Sequence, residues 1–278
     1  MPNHDSQRKT QRKKFSRDST RNTLTVAISL SLVCSILVAS TAVLLKPVQQ
    51  KNEERYRQRI ILEVAGLMQP DASIESLFES IEPRMVELAS GEYVESPSPS
   101  EFDASDAASD PSVSTAIPDD LDIAGIRRRA LHSPVYLVRV GEELEQVILP
   151  VYGSGLWSTL YGYLALTADG AIVKGLRFYS HAETPGLGDQ IDDPDWREQW
   201  VGKQIYGPDG QPRIEVIRGF VQYDDSSGLA DATQFQVDGL SGATLTGRGV
   251  MQLVRYWTGP HGFGPYLKNL KQDDGATQ

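Results

Sequence analysis

The sequence is almost without cysteine, and this scarcity excludes several kinds of site. The 278-residue chain has one cysteine, Cys34, which lies in an apolar run. A disulfide within the chain needs a second cysteine, and thiolate zinc sites and cysteine-ligated iron–sulfur clusters need several. Redox chemistry in this protein therefore requires a cofactor that is held by something other than sulfur.

The residues needed for nucleotide hydrolysis and for calcium binding are also missing. Residues 242–247 have the glycine spacing of a P-loop, but Arg248 and Gly249 stand where Lys and Ser/Thr would contact phosphate and Mg²⁺. The aspartates that follow Gly188 lack the spacing and the glycine of an EF-hand loop, so we interpret them as a solvated acidic surface. We predict no metal site.

Charge is distributed unevenly along the chain. The net charge is −10, yet residues 1–46 hold eight Lys/Arg against two acids, which leaves 19 basic and 35 acidic residues, or −16, in the remainder. A region this acidic is poorly suited to the phosphate backbone of a nucleic acid. We therefore predict no nucleic-acid partner.

The N-terminal part of the sequence is typical of a membrane anchor. Residues 22–45 carry no charge, and at ~1.5 Å per residue they exceed the ~30 Å hydrocarbon core of a bilayer. Seven Lys/Arg in the basic tail, residues 1–21, favour a cytoplasmic N-terminus. We predict a single transmembrane helix over 22–45, with the rest of the chain outside the cytoplasm. A cleaved signal peptide with a site at Ser40-Thr41-Ala42 is the alternative, although its apolar run would be shorter.

Four further regions are expected after the anchor. Residues 46–94 form a membrane-proximal helical region, with a helix over 50–69 and a second helix or mixed segment over 74–88. The Ser/Asp/Pro-rich residues that follow cannot build a core and are expected to be flexible. The regions after 94 are the flexible segment 95–120, the main domain 121–270 and a tail 271–278.

The main domain combines strands and helices without regular βαβ alternation, which predicts an α+β fold with a twisted, mostly antiparallel sheet and flanking helices. Asp169-Gly170 predicts a hairpin between two of the strands. Asp193-Pro194 predicts the N-cap and first turn of a short helix, and a longer helix is expected after Gly242. The predicted strands are 135–140, 147–151, 159–167, 171–178 and 213–221.

Small residues and hydroxyls are concentrated just before the last predicted helix, in Asp238-Gly239-Leu240-Ser241-Gly242-Ala243-Thr244-Leu245-Thr246. Small residues expose backbone N–H groups, and a helix start adds the positive end of its dipole, which together suit a phosphate. The simpler alternative is a glycine turn followed by a Ser/Thr cap.

Two other clusters suit a planar ligand. His181 and Glu183 have side chains capable of acid–base work, and Thr184, Leu187 and Gly188 follow within the same loop. The alternative is a rigid surface loop. In the third cluster, residues 153–162, Trp157 stands among small residues that are otherwise typical of the glycine-rich entry of a strand.

Together the three clusters carry a family resemblance. Asp238-x-x-Ser241-Gly242-Ala243-Thr244 matches the flavinylation motif of proteins that carry FMN on a threonine through a phosphoester bond. With GLWSTLYGYLAL, HAETPGLG and the closing Gly264-Pro265-Tyr266-Leu267, the chain resembles the C component of the Na⁺-translocating NADH:quinone oxidoreductase. The motif alone also occurs in the G component of Rnf-type electron transport complexes, which is one alternative. A noncatalytic membrane-anchored binding domain is the other.

The resemblance implies an electron-carrying component of an NADH:ubiquinone reductase complex that exports Na⁺, located in the bacterial inner membrane with its C-terminal domain periplasmic. It also implies FMN bound covalently to Thr244 by a separate flavin transferase that uses FAD. We expect Glu183 and Thr184 to hydrogen-bond the flavin, and no residue to act as a proton-transferring catalyst. The full set of predicted cofactor-binding residues is Thr244, Asp238, Ser241, Gly242, Ala243, Thr246, Trp157, His181, Glu183, Thr184, Leu187 and Gly188.

Overall fold

A computed structural model describes residues 20–100, 102–221 and 233–276. The chain divides into two units, residues 1–53 and 54–278, each of which is treated by itself. Nearly all of the basic tail predicted over 1–21 lies outside the described residues.

The first unit holds most of helix α1, Thr20–Val64, which has Pro47 inside it. Among the described residues, α1 is the one helix that is long and apolar enough to cross a membrane, and none of its most apolar stretch is buried. The predicted helices over 22–45 and 50–69 are thus parts of one helix. Pro47 removes a backbone donor but does not end the helix.

The second unit is built on one antiparallel sheet with the strand order β2-β1-β5-β6-β7-β8. Two small pairs of strands lie outside it, β3 with β4 and β9 with β10. The strands are β1 Ile81–Glu87, β2 Tyr93–Val94, β3 Ser114–Ala116, β4 Arg128–Ala130, β5 His132–Val140, β6 Glu143–Ser154, β7 Thr159–Thr167, β8 Val173–Ser180, β9 Glu215–Val216 and β10 Gln236–Val237.

Helices flank this sheet and connect its strands. They are α2 Ile74–Phe78, α3 Ala104–Ser109, a 3₁₀ helix Gly188–Asp192, α4 Pro194–Glu198, α5 Thr244–Thr258 and α6 Gly264–Ala276. The predicted cap of α4 is present, because the Asp193 side chain accepts hydrogen bonds from the N–H groups of Asp195 and Trp196. The α+β prediction is confirmed, including the β7–β8 hairpin with Gly170 at φ +67°.

The structure decides one expectation that the sequence left open and differs from two others. The second predicted helix or mixed segment, 74–88, is mixed: α2 is followed by β1, which pairs along its whole length with β5. Within the stretch expected to be flexible, the Asp103 side chain caps α3 and β3 pairs with β4. These pairings depend on partners distant in sequence, which local composition does not reveal.

The strand predicted over 213–221 is reduced to β9, which pairs in parallel with β10. The Arg255 guanidinium explains the shortening at one end. It donates to the backbone carbonyls of Ile214 at 2.6 Å and of Arg213 at 3.2 Å, in place of a neighbouring strand.

Both faces of the sheet are buried. On β6, Val147 and Leu149 belong to the cluster that packs with α5 and α6, whereas Ile148 belongs to the cluster that packs with the C-terminal part of α1. This alternation follows from the two-residue period of a strand. The packing brings the start of α5 to the end of β6, because a Cβ on Gly249 would lie 2.5 Å from the carbonyl oxygen of Ser154.

Candidate functional site

A buried carboxylate joins the three sequence clusters. Glu183 is 5% exposed, and its Oε1 accepts hydrogen bonds from the backbone N–H groups of Leu156 at 3.0 Å and Trp157 at 3.1 Å. Its Oε2 accepts a 2.6 Å hydrogen bond from the Thr246 hydroxyl, which is fully buried. The β6–β7 turn, the loop after β8 and the first turn of α5 are thereby held together.

The start of α5 presents Thr244 to solvent. Thr244 is the first residue of this 15-residue helix and is exposed, while Ala243 at the N-cap makes no side-chain capping bond. The first N–H groups of a helix have no partner within the helix and lie at the positive end of its dipole. The Ser/Thr cap proposed as the simpler alternative is therefore absent from this helix start, which is instead open to an anion.

Two glycines allow the segments around Thr244 to approach each other closely. A Cβ on Gly188 would lie 2.8 Å from both Glu183 Oε2 and Thr246 Oγ1. Gly242 has φ +72°, and a Cβ there would lie 2.9 Å from Cδ2 of Leu187. Larger side chains at these positions would separate the loop after β8 from α5.

Apolar side chains project into solvent from all three joined segments. Trp157 is 70% exposed, and Leu156, Leu187 and Leu245 are also exposed. Exposed apolar groups that cluster on one surface are typical of a binding site. Sequence reasoning missed Leu156 and Leu245, although an apolar residue between Thr244 and Thr246 at a helix start is itself a usable signal.

Asp238 and His181 have protein partners in this arrangement. The Asp238 carboxylate accepts a 2.6 Å hydrogen bond from the N–H of Val221, and its own N–H donates to the Gln199 side chain. His181 Nε2 lies 2.9 Å from a carboxylate oxygen of Asp192. Both residues shape the loops around the site, and their partners Gln199 and Asp192 were not anticipated.

The remaining predicted residues lie in the two loops. Ser241 is exposed, three residues before Thr244, and Thr184 is exposed beside Glu183. The carbonyl of Thr184 accepts hydrogen bonds from the N–H groups of Leu187 at 3.1 Å and Asp189 at 3.3 Å, which closes the turn that carries Leu187.

The site falls within a recognisable domain. Residues 155–259, which contain every predicted site residue, match the family described as FMN-binding domain. The match begins at the β6–β7 turn and ends just after α5.

Relatives of the whole chain are known from several bacteria. The chain is 45% identical over 260 residues to the C component of the Na(+)-translocating NADH-quinone reductase of Yersinia pestis, which covers 92% of this chain and 94% of the relative. The corresponding component of Pseudomonas aeruginosa is 46% identical, with 93% and 98% covered. A crystal structure of Shewanella oneidensis NqrC superposes with a TM-score of 0.70 at 34% identity, and covers 77% of this chain and 96% of that one.

A second solved structure, the C component of the same reductase from Parabacteroides distasonis, superposes with a TM-score of 0.59 at 25% identity. It covers 80% of this chain and 96% of its own. Identity above 40% across more than nine-tenths of both chains decides the family and favours this reductase over the Rnf-type alternative. The chain therefore belongs to the NqrC family, the C component of the Na⁺-translocating NADH-quinone reductase.

Proposed function

We propose that this protein carries FMN esterified through its phosphate to the hydroxyl of Thr244 and passes electrons within the Na⁺-translocating NADH:quinone reductase complex. Bound FMN supplies reversible redox chemistry, and the phosphoester leaves its ring system chemically free. The observation that carries the proposal is the exposed Thr244 hydroxyl on the first residue of α5, where no side chain caps the helix.

The residues around Thr244 fit such a group. The N–H groups at the start of α5 would hold the phosphate, since a helix N-terminus is a ready anion site. Trp157 and Leu187 would contact the ring, and the close approach at Gly188 and Gly242 leaves no side chain in the way. Of the two polar residues predicted to hydrogen-bond the ring, Glu183 already has three protein donors, so Thr184 is the freer candidate.

Attachment of the cofactor needs a partner. We propose a separate flavin transferase that joins the Thr244 oxygen to the FMN phosphorus of FAD, cleaves the pyrophosphate bond and releases AMP and the hydroxyl proton. The exposure of Thr244 makes the residue accessible to such an enzyme. Thr246, the nearest other hydroxyl on the helix, is fully buried and donates to Glu183. The difference in exposure supports Thr244 as the acceptor.

The location and the coupling to Na⁺ export belong to the same proposal. We place the second unit in the periplasm and residues 22–45 of α1 in the inner membrane, where they anchor the protein beside its partners. Residues 22–45 contain no charge, so this helix offers no side chain for an ion path. Na⁺ movement is then a task of the other components, while this one carries electrons.

The test is to express the full chain together with a flavin transferase and an FAD supply, then boil it in detergent and measure flavin fluorescence on the gel. We expect Thr244→Ala to abolish the fluorescent band and Arg248→Ala, an exposed change one turn along α5, to retain it. Peptide mass spectrometry should place the added mass on Thr244. A label that persists in Thr244→Ala, or that maps to Thr246, would refute the assignment.

The electron-carrying role is tested separately in the assembled complex. A complex that contains Thr244→Ala should assemble and oxidise NADH with an artificial acceptor, yet lose at least ~90% of its quinone reduction. Unchanged quinone reduction by an assembled complex without this flavin would contradict the role, whatever the outcome of the labelling experiment.

A further inference from the structure

A cleft that is separate from the site at Thr244 lies on the side of the sheet that is covered by the end of α1. Its volume is about 470 Å³, which is within the usual range for small-molecule sites. None of its lining residues belongs to the flavin site described above, so it is a separate feature. All of these residues lie in the second unit.

Basic residues slightly outnumber acidic ones in the lining of the cleft, although the domain is acidic. Lys174, Arg177 and Arg197 line it, against two acids, Glu63 and Glu198. Glu63 is already engaged, because its Oε1 accepts a 2.8 Å hydrogen bond from Arg59 and its Oε2 pairs with Arg177. Acidic residues outnumber basic ones by 16 in residues 47–278, so a lining with more basic than acidic residues is unusual for this chain.

Arg197 has no carboxylate partner within ion-pair distance among the described residues, and its Nε is buried without a hydrogen bond. Burial lowers the pKa of Arg197, and the nearby charge of Arg177 lowers it further, although three surrounding carboxylates act in the opposite direction. A buried donor without an acceptor is costly, and more so when it is charged. An anion beside Arg197 and Arg177 would relieve both the missing hydrogen bond and the repulsion.

Gln146 in the same cleft lacks a hydrogen-bond donor, whereas Arg197 lacks an acceptor. Its side chain lines the cleft, is 6% exposed and donates through Nε2 to the carbonyl of Ala65 at 3.2 Å. Its Oε1 is buried and has no donor among the described residues. A ligand would therefore need a hydrogen-bond donor as well as an anionic group.

We propose that this cleft binds a small zwitterion, in which a phosphate or carboxylate lies against Arg197 and Arg177 and an N–H group donates to Gln146 Oε1. The class includes soluble compounds such as amino acids and phosphoethanolamine, and also the phosphoethanolamine headgroup of a lipid. The shared chemistry is an oxyanion next to a primary ammonium.

The experiment uses the full chain in detergent and measures O-phosphoethanolamine binding by calorimetry, with inorganic phosphate and ethanolamine as separate probes. We expect saturable binding of phosphoethanolamine that is at least tenfold tighter than that of either fragment. Arg197→Gln should weaken it about tenfold or more, the equivalent of one charged hydrogen bond. Arg84→Gln, an exposed arginine on β1 outside the cleft, serves as the matched control and should bind as the parent does.

A second arm separates a lipid source from a soluble one. In lipid nanodiscs, phosphatidylethanolamine should raise the melting temperature above that in phosphatidylcholine, whose quaternary nitrogen has no N–H, and Arg197→Gln should remove the difference. Either saturable binding or this lipid effect supports the site. Neither of them, or equal responses of Arg197→Gln and Arg84→Gln, overturns the proposal. Arg177→Gln, at the other arginine assigned to the oxyanion, replaces Arg197→Gln if circular dichroism shows that the latter is unfolded.

Discussion

At the scale of single residues, Glu183 shows how a polar side chain can organise a site without being free to bind a ligand. Its two carboxylate oxygens accept three hydrogen bonds, from Leu156, Trp157 and Thr246. The exposed Trp157 and the first turn of α5 are held in one arrangement as a result. Glu183 therefore positions the segments around Thr244, where we propose that the flavin is bound.

Replacing Glu183 should cost stability and disturb the flavin environment together. Glu183→Ala leaves two part-buried N–H groups and one buried hydroxyl without their acceptor, so we expect the free energy of unfolding to fall by about 2–3 kcal/mol. Glu183→Gln, which keeps one acceptor oxygen, should recover part of this loss. Thr184→Ala, an exposed neighbour, should change it by less than ~0.5 kcal/mol. Denaturant titration of the full chain measures all three, and equal midpoints for Glu183→Ala and Thr184→Ala would contradict the positioning role.

The sequence indicates which three segments could form a site, but it does not indicate which hydrogen bonds join them. Short-range signals, namely small residues before a helix and a Gly-rich loop, indicated the three segments. The partners of Glu183 lie 26, 27 and 63 residues away along the chain, and those of Asp238 lie 17 and 39 residues away. Local patterns carry no information about which distant backbone group a carboxylate meets, so these hydrogen bonds could not be predicted.

At the scale of elements, α5 is placed by its glycines. Gly249 faces the last residues of β6, where a Cβ would lie 2.5 Å from the Ser154 carbonyl oxygen and 3.3 Å from the Gly155 Cα. Backbone atoms cannot move aside as a flexible side chain can. The position of the N-terminus of α5, and of Thr244 with it, therefore depends on the absence of a side chain at Gly249.

Gly249→Ala should accordingly destabilise the fold, whereas Gly247→Ala provides a matched control on the same helix. At Gly247 the nearest atom to a new Cβ is a Val216 methyl at 3.2 Å, and the gain in helix propensity of about 1 kcal/mol offsets the tighter contact. We expect Gly249→Ala to lower the free energy of unfolding by about 1–3 kcal/mol and Gly247→Ala to change it less. Thermal unfolding of both variants checks the order, and a larger loss for Gly247→Ala would be inconsistent with the packing described.

The element predictions succeeded where a pattern was carried by the segment itself. Strands β5 to β8 have continuous apolar or alternating runs, and α4 has its cap and proline in sequence. They left β1 open, missed β3 and made β9 too long, because the extent of these strands is decided by pairing with β5, β4 and β10. Helix α1 is one helix where the sequence predicts two, because the uncharged run ends at residue 45 and a separate apolar face follows within 50–69.

A row of tyrosines across the sheet makes the fold sensitive to alkaline pH. Burial raises the pKa of Tyr136 on β5 and of Tyr163 on β7 above the ordinary 10, and raises the pKa of Tyr179 on β8 to about 12. A raised folded-state pKa contributes stability that is complete below pH 10 and is lost as pH rises towards 12. The melting temperature should therefore fall between pH 10 and 12. The melting temperature of Tyr179→Phe should fall less steeply over this range than that of Tyr56→Phe, which serves as the control because Tyr56 is exposed on α1. Identical slopes would show that Tyr179 is not linked to folding.

At the scale of the whole molecule, the chain combines an acidic domain with a helix that exposes apolar side chains along its first part. Exposed apolar residues occupy α1 from Leu24 to Val48, whereas Ile60, Ile61 and Leu62 of the same helix are buried in the second unit. A hydrophobic surface of this length is stable in a bilayer and unfavourable in water. The change from exposed to buried side chains along one helix is what a membrane-anchored domain requires.

We expect the charges that flank this anchor to set its orientation, which can be tested in cells. The seven Lys/Arg before residue 22 lie beside the apolar run, and such clusters are retained in the cytoplasm. Alkaline phosphatase fused after Gln278 should therefore be active, and a green fluorescent protein that folds only in the cytoplasm should stay dark at the same position. Neutralising the seven bases with glutamine should mix the two signals, while neutralising Lys268 and Lys271 near the other end should not. Fluorescence from the unmodified chain would place the domain in the cytoplasm, and a mature N-terminus at Val43 would show that the helix is cleaved rather than retained as an anchor.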